Sequence, residues 1–422
     1  MVVSHIAAFA LQGWMMRRRG QVLVVLLGAW AIVLALAPEA ARASQTVAAV
    51  KAVTNRLVRS QWQGGPLKGA WRGEEEYTGS IVAGLVSAYT MTCDDDAKAA
   101  AVAGGNYILR TAAGNYYGDE AYALMCLSQI SQDPSLNAWR FALEDFYQKV
   151  AGRPQDGTRG YIAQFERTDP SVAVFCMAHH TVAAFHVDAD DKEIWRDALV
   201  DYLIRVDDES AASAVMSLGT AMWALAATGR WDDSLLDPDG KGAFYWQGYT
   251  FDELPELLLS HRITEGELAG SFYWRFDHGT IIGGPPGGYT EESVSSALGL
   301  AAGGLVADGP EIKEANGLLR ALLVGSIGAD GYVRQHLTLG GRAYHSEMGR
   351  LLQALAALTN PADLDLDGCV DGADLAILSA HWLRAGRDCI SLGDSDRVDV
   401  RDLMVLADNW LDHARHNEAV PF

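Results

Sequence analysis

The sequence predicts an all-α fold: an α6/α6 toroid, one ring of helices inside another, followed by a small two-repeat loop–helix module. Three observations predict it. Along residues 45–360, segments that are apolar on nearly every side alternate with segments that are plainly amphipathic. A helix that is hydrophobic all round must be buried all round, so the alternation describes two concentric layers. Strand patterning is weak throughout. Finally, "VDGADLAILSAHWL" (Val370–Leu383) recurs as "VDVRDLMVLADNWL" (Val398–Leu411), the signature of a repeated unit.

The first segment, residues 1–43, reads as a secretory signal. Arg17, Arg18 and Arg19 precede the apolar run "QVLVVLLGAWAIVLALA", and small residues at Ala41 and Ala43 mark a cleavage site after Ala43. An uncleaved anchor is the alternative, but the run is shorter than the ~20 residues of a typical span. The mature chain has no later segment that would cross a bilayer, and its expected place is secreted, periplasmic or at the cell surface. The formal net charge is −21, and loss of the arginine-rich leader makes it more negative. Nucleic acid and anionic membrane surfaces are therefore excluded as partners. Apolar residues make up 49% of the chain, enough for a large core.

The inner helices are expected in "SIVAGLVSAYTM", "EAYALMCLSQIS", "SVAVFCMAHHTVAAF", "ASAVMSLGTAMWALAATG", "EESVSSALGLAAGG" and "SEMGRLLQALAAL". The outer ones are expected in "QTVAAVKAVTNRLVRSQW", "AKAAAVAGGNYILRT", "LNAWRFALEDFYQKV", "DKEIWRDALVDYLIRV", "FDELPELLLSHR" and "GPEIKEANGLLRALLVG". In the fourth of these, Trp195, Leu199, Tyr202, Leu203 and Val206 form one apolar stripe with charges opposite. The structural rival is a helical solenoid. Pro361 ends the toroid domain (45–360), and residues 361–415 form the module, in which Leu375, Leu378 and Trp382 share one helix face, as do Leu403, Leu406 and Trp410.

In a toroid the N-terminal ends of the inner helices surround one mouth. Here those ends carry "RGEEEYTG", "YYGDEAY", "GGYTEES" and "GGRAYHSEMGR", and the longest connection adds "FYWQGYTF" and "SFYWRFDHG". Acid–base cleavage of a glycan needs paired carboxyl groups, or a base with a cation-stabilised leaving group, and aromatic faces for the sugars. The candidate catalytic residues are Asp119, Glu120, Asp277, His278, Glu292, His345 and Glu347. Acids at helix starts also serve as caps, and His179 and His180, in mid-helix, read as packed core residues. "DADD" (Asp188–Asp191) and "CDDDAK" (Cys93–Lys98) open outer helices and read as caps.

The crowded loop "DLDLDGCVDGAD" places Asp363, Asp365 and Asp367 at the first, third and fifth positions of a twelve-residue loop. Gly368 makes the turn, and Asp371 and Asp374 stand ninth and twelfth. Carboxylates so spaced converge on one point and repel one another without a cation, so the expected ligand is Ca²⁺. The second loop has Ser391, Gly393 and Ser395 at the equivalent positions and Asp396 in place of the turn glycine, keeping only Asp399 and Asp402. It is a weaker site or an empty one. Cys369 and Cys389 flank the module's first helix and are expected to bridge; Cys93, Cys126 and Cys176 read as buried thiols.

The toroid region resembles the terpenoid-cyclase/prenyltransferase-like α/α-toroid superfamily, through its inner–outer alternation and the Gln/Gly/Trp-rich turns "SQWQGGPLKGAW" and "SIGADGYVRQ". The resemblance implies the toroid fold. The same shape serves polysaccharide lyases and glycoside hydrolases, so it fixes no reaction. "DADD" matches the Asp-x-Asp-Asp of terpene cyclases, but its place on an outer helix disfavours that chemistry. The C-terminal region is similar to a type I dockerin, a paired Ca²⁺ loop–helix module of secreted polysaccharide-degrading proteins. That implies a Ca²⁺-folded module and a cohesin-like or cell-surface protein partner, although Gly372-Ala373 and Val400-Arg401 depart from the usual partner-selecting pairs. Two readings follow: an exported protein that cleaves glycosidic bonds in a polysaccharide or oligosaccharide, or a non-catalytic binding toroid.

Overall fold

The computed structural model describes residues 45–409 apart from 132–136, 152–156, 166–167, 210–213, 281–283, 305–308, 361, 365, 367–369, 371, 383–391 and 393–397. The helices in chain order are α1 (45–60), α2 (Thr78–Thr92), α3 (Asp95–Thr111), α4 (Gly118–Gln129), α5 (Ala138–Asp145) and α6 (Gly157–Ile162). There follow α7 (Pro170–His186), α8 (Lys192–Leu203), α9 (Ala214–Ala227), α10 (Leu254–Ser260), α11 (Thr290–Gly304), α12 (Pro310–Gly325) and α13 (His345–Ala357). Helices α14 (Gly372–Ala380) and α15 (Val400–Asn409) belong to the C-terminal module.

The six predicted apolar helices are α2, α4, α7, α9, α11 and α13, and each packs against the next in that order. Helix α13 then packs against α2, which closes the ring and sets aside the open solenoid. Outside it, α3, α5, α8, α10 and α12 each lie against the inner helix before them, and α1 contributes Val50, Val53 and Leu57 to the same core. The stripe predicted on α8 is fully realised: Trp195, Leu199, Tyr202, Leu203 and Val206 are all buried.

Glycine sets the tightness of the ring. A Cβ on Gly84 of α2 would lie 2.2 Å from the Gly349 carbonyl oxygen of α13, and one on Gly219 of α9 would lie 2.5 Å from the Ser295 oxygen of α11. Inner helices rich in Gly, Ala and Ser can therefore touch backbone to backbone, where larger side chains would hold them ~8–10 Å apart.

The turn after α1 is repeated after α10, a feature the sequence reading missed. Gln61 bridges to Trp71 as Arg262 does to Phe272. The bonds Trp62 N–H to Ala70 O and Gly69 N–H to Trp62 O recur as Ile263 to Ser271 and Gly270 to Ile263. Gly69 and Gly270 both have positive φ, 99° and 98°. In the first copy the Gln61 amide donates to Gly69 O and Ala100 O, and Trp71 Nε1 donates to Leu57 O, tying the ends of α1 and α3 together. Side-chain identity differs between copies while backbone geometry is kept, which hid the repeat.

A short antiparallel hairpin, β1 (Arg334–His336) and β2 (Gly340–Ala343), departs from the all-helical expectation. It is too short for an alternating pattern; its turn is 337–339, and Gly340 and Gly341, both at positive φ, open β2.

In the module, α14 and α15 pack around Ala362, Val370, Leu378, Val398 and Leu406. Leu375 and Leu403 join this cluster, but Trp382 is 40% exposed, because α14 ends at Ala380 and leaves it beyond the helix face. Trp410 lies outside the described residues. The module meets the toroid where Arg320 of α12 donates to Leu366 O at 3.1 Å and stands 3.9 Å from the Asp363 carboxylate. Cys126 and Cys176 are buried free thiols, as expected. Cys93 is disulfide-bonded instead: it is the C-cap of α2, half-buried with φ 54°, not an interior residue. With five cysteines in the chain and Cys126 and Cys176 free, the Cys93 bond excludes the expected Cys369–Cys389 pair; both of those residues, like the leader, 1–43, lie outside the described residues. Among the described residues no helix is long and apolar enough to cross a membrane.

Candidate functional site

Every connection from an outer helix leads into the N-terminus of the next inner helix, so the segments before α2, α4, α7, α9, α11 and α13 gather at one end of the ring. At that end Glu74, from the turn before α2, reaches α13. Its carboxylate accepts the backbone N–H groups of His345 and Ser346, both at 2.8 Å, and the His345 Nδ1 at 3.1 Å. Burial pushes the Glu74 carboxyl up, but these donors outweigh it and hold the pKa below the usual value. An ionised Glu74 only accepts, so His345 Nδ1 carries a proton and donates to it. The His345 Nε2 is buried with no hydrogen-bond partner among the described residues.

Arg350 is the centre of the site. Its Nη1 donates to Glu291 of α11 at 2.9 Å and to Glu347 of its own helix at 3.4 Å. Its guanidinium lies 4.5 Å over the Phe175 ring of α7, the inner helix opposite α13 across the ring. Burial opposes the Arg350 charge, and Glu347, Glu291 and Asp119 more than offset that, raising its pKa. Glu347 is held well above the usual carboxylate range, first by burial and then by the charge of Glu291, with Glu292 adding to it. Glu347 is thus the buried member of the pair whose protonated form is favoured, while the Glu291 side chain is 40% exposed.

Asp119 is buried, and instead of capping its own helix it binds the neighbour: one carboxylate oxygen accepts Ser80 N–H at 3.0 Å and Ser80 Oγ at 3.1 Å. Burial raises its pKa. Glu120 reaches back to the Tyr117 N–H at 2.9 Å, as a helix-start acid does, and burial pushes it up to about 7. Two aromatic rings flank this acidic end in the open: Tyr77, 42% exposed, and Tyr117, 64% exposed. Burial raises the Tyr77 pKa, and the charges of Glu76 and Glu291 add to it while Arg350 lowers it.

Beneath Arg350 the bore is filled. Tyr122, Phe175, His179 and Trp223 meet at ring-centroid distances of 4.3–5.2 Å, drawn from α4, α7 and α9. His179 and His180 are core residues, as read from sequence; burial pushes their pKa values down to about 4 and about 3.

The structure divides the seven predicted catalytic residues. Asp119, Glu120, Glu292, His345 and Glu347 belong to the Arg350 end. Asp277 and His278 stand in a separate group on the connection between α10 and α11. There Asp208 accepts Phe276 N–H at 2.9 Å, Asp277 N–H at 3.2 Å and the Tyr245 hydroxyl, and Arg275 forms two bonds with exposed Asp277. His278 adopts φ 57°, stacks on Tyr273 and meets buried His261 at 3.1 Å. These contacts make a braced loop. Glu74, Glu291, Arg350 and Asp208 were missed as site residues. Arg350 had a sequence signal: it stands three residues after Glu347 on an otherwise apolar inner helix.

The "DADD" tract caps less than expected. Asp191 takes the N-cap position of α8 without a cap bond and instead accepts Thr158 Oγ1 at 2.6 Å, and Asp188 pairs with Lys192. In "CDDDAK", Asp94 does cap α3, accepting Asp96 N–H at 2.9 Å. A cavity of about 160 Å³ lined by Glu144, Tyr147 and Asp188–Asp191 lies by the connection that leaves the C-terminus of α7.

One solved structure is similar to this chain. It is an inactive variant of alpha-1,6-mannanase, GH76A of Salegentibacter sp. HEL1_6, in complex with alpha-1,6-mannotriose, at 11% identity and a TM-score of 0.49, covering 74% of this chain and 99% of that chain. No protein-family model and no curated protein matches.

Proposed function

We propose that the chain cleaves glycosidic bonds at the Arg350 end of the ring, with Glu347 as proton donor and Glu291 as its carboxylate partner. The observation that carries this reading is that two carboxyl groups from different inner helices meet on one Arg350 nitrogen, at 2.9 and 3.4 Å. One is buried with its pKa raised; the other is half-open to solvent beside a guanidinium. That division of labour is what glycoside hydrolysis requires: an acid for the leaving oxygen and an anion for the oxocarbenium-like centre. Oxygens sharing one nitrogen at those lengths cannot be as far apart as the ~6.5–9.5 Å of inverting pairs, so the geometry favours retention. Tyr77 and Tyr117 supply faces on which sugar rings stack.

The test is hydrolysis of a polysaccharide panel by the parent, Glu347→Gln and Glu291→Gln proteins. Each variant is expected to lose about 10²–10⁴-fold in kcat/KM, with its thermal midpoint kept. Parent activity should fall as pH rises through the raised Glu347 pKa. Full activity in both variants would remove the assignment. Binding without cleavage by the parent would make the toroid a binding protein.

We infer further that residues 1–43 direct export and that the first C-terminal loop binds Ca²⁺. Support for the cation comes from burial: Asp363 and Asp374, the first and twelfth loop positions, are 2% and 0% exposed. Asp365, Asp367 and Asp371 lie outside the described residues. The described donors fit a hard cation, since carboxylates withdrawn from water need compensating charge, and Arg320 stands no nearer to Asp363 than 3.9 Å. Calorimetry on the full chain is expected to show one tight Ca²⁺ site, lost in Asp363→Ala and Asp374→Ala and kept in Ser391→Ala. Two equally tight sites, or no uptake at millimolar Ca²⁺, would overturn this.

A further inference from the structure

We propose that a disulfide from Cys93 clasps the C-terminal module to the end of the ring opposite the carboxyl groups. The clasp does not depend on any reaction at the Arg350 end.

The count of cysteines identifies the partner. The chain has five, Cys93 is disulfide-bonded, and Cys126 and Cys176 are free. Within one chain that leaves Cys369 and Cys389, which lie outside the described residues and both belong to the module, residues 361–415. A bond to either one joins module and ring.

The described residues place Cys93 where the module begins. Helices α2 and α13 run side by side in the same direction, because Glu74 and His345 meet at their starts and Gly84 meets Gly349 further along. From that glycine contact each helix continues for nine residues, about 13 Å, to its C-cap, Cys93 on α2 and Leu358 on α13. Two residues beyond Leu358 the module is already engaged: Asn360 Nδ2 donates to Asn409 Oδ1 of α15 at 3.0 Å. Cys93 is half-buried at this end, and its φ of 54° turns the chain off the helix axis. Arg320, which donates to Leu366 O, is a separate, non-covalent attachment of the module.

The two remaining thiols leave the clasp undisturbed. Cys126 and Cys176 are buried, and burial pushes both up to about 12, so little thiolate is present to attack a disulfide. Forming the clasp takes two electrons and two protons from two thiols and passes them to a disulfide oxidant, as in an oxidising export compartment; a dithiol reductant reverses the step. The module is thereby held on the ring with the Arg350 end left open.

The experiment is a peptide map of the full-length chain, its free thiols blocked and the digest kept unreduced. A thiol count alone does not decide, because any single bond among five cysteines leaves three thiols. The expected result is a peptide pair joining Cys93 to Cys369 or to Cys389. A Cys369–Cys389 pair, a blocked Cys93, or Cys93 joined to the Cys93 of a second chain overturns the proposal. With Ca²⁺ present throughout, dithiothreitol or Cys93→Ser is expected to speed proteolytic cutting between ring and module, read on reduced gels, on the order of tenfold. Cutting at the parent's rate in both would show that the bond does not hold the module, and overturns the clasp even where the pair is mapped.

Discussion

Replacing Arg350 with Met is expected to destabilise the fold by about 3–5 kcal/mol at neutral pH, the cost of leaving buried charges without their partner. Met keeps the length and apolar volume over Phe175 but removes the one cation that Glu291, Glu347 and Asp119 share. The pH dependence identifies the mechanism. Glu347 and Asp119 already have folded pKa values raised by burial, and Arg350 acts to lower both. Without it they rise further. A carboxyl whose folded pKa exceeds its unfolded value of ~4 contributes stability that is fully present below that unfolded value and is lost as pH rises through the folded one. The deficit of Arg350→Met should therefore be largest at neutral pH and shrink as pH falls toward about 4. Adding Glu347→Gln should restore part of it at pH 7, since one buried charge site is then gone. Urea denaturation across pH 4–8 measures this. A variant as stable as the parent at pH 7, or a deficit that grows on acidification, would show that Arg350 does not compensate the acids.

The ring was legible because its inner layer obeys a one-dimensional rule: a segment buried on every side is apolar on every side. All six inner helices follow from that, and the outer layer from the opposite, amphipathic pattern. The site was half legible. Polar residues opening apolar helices marked Asp119, Glu120, Glu292, His345 and Glu347. What brings them together is ring closure, and closure is not local: Glu74 meets His345 across 271 positions. No window of sequence holds both. Asp277 and His278 had the right residue types in the right kind of loop, but Asp208, from another connection, holds that loop as a unit of its own. Cys93 followed the same logic in reverse. Its apolar surroundings in sequence suggested burial, and its place at a helix end decided otherwise.

Closure also sets the second large effect. Gly84→Ala is expected to cost about 3 kcal/mol, at the upper end for overpacking. The new Cβ would fall 2.2 Å from Gly349 O and 2.5 Å from Gly349 Cα. Both are backbone atoms of α13, and no side chain can turn aside to make room, so α2 and α13 must part. The helix-propensity gain of ~1 kcal/mol from replacing glycine offsets only part of that. Gly317→Ala on α12 isolates the propensity effect, because nothing lies within 4 Å of its added Cβ. That change should stabilise the protein by about 0.5–1 kcal/mol. Opposite signs for two identical substitutions would place the cost in the helix contact and not in the residue type; the same sign in thermal and urea denaturation would refute it. Function should follow stability at Gly84 alone. The α2–α13 seam carries the Gln353 to Ser80 bond at 3.0 Å and the Glu74–His345 contact, and Ser80 in turn holds Asp119. Parting these helices by even part of an ångström moves three of the helix ends that present the carboxyl groups, so Gly84→Ala should lower kcat even at temperatures where it remains folded.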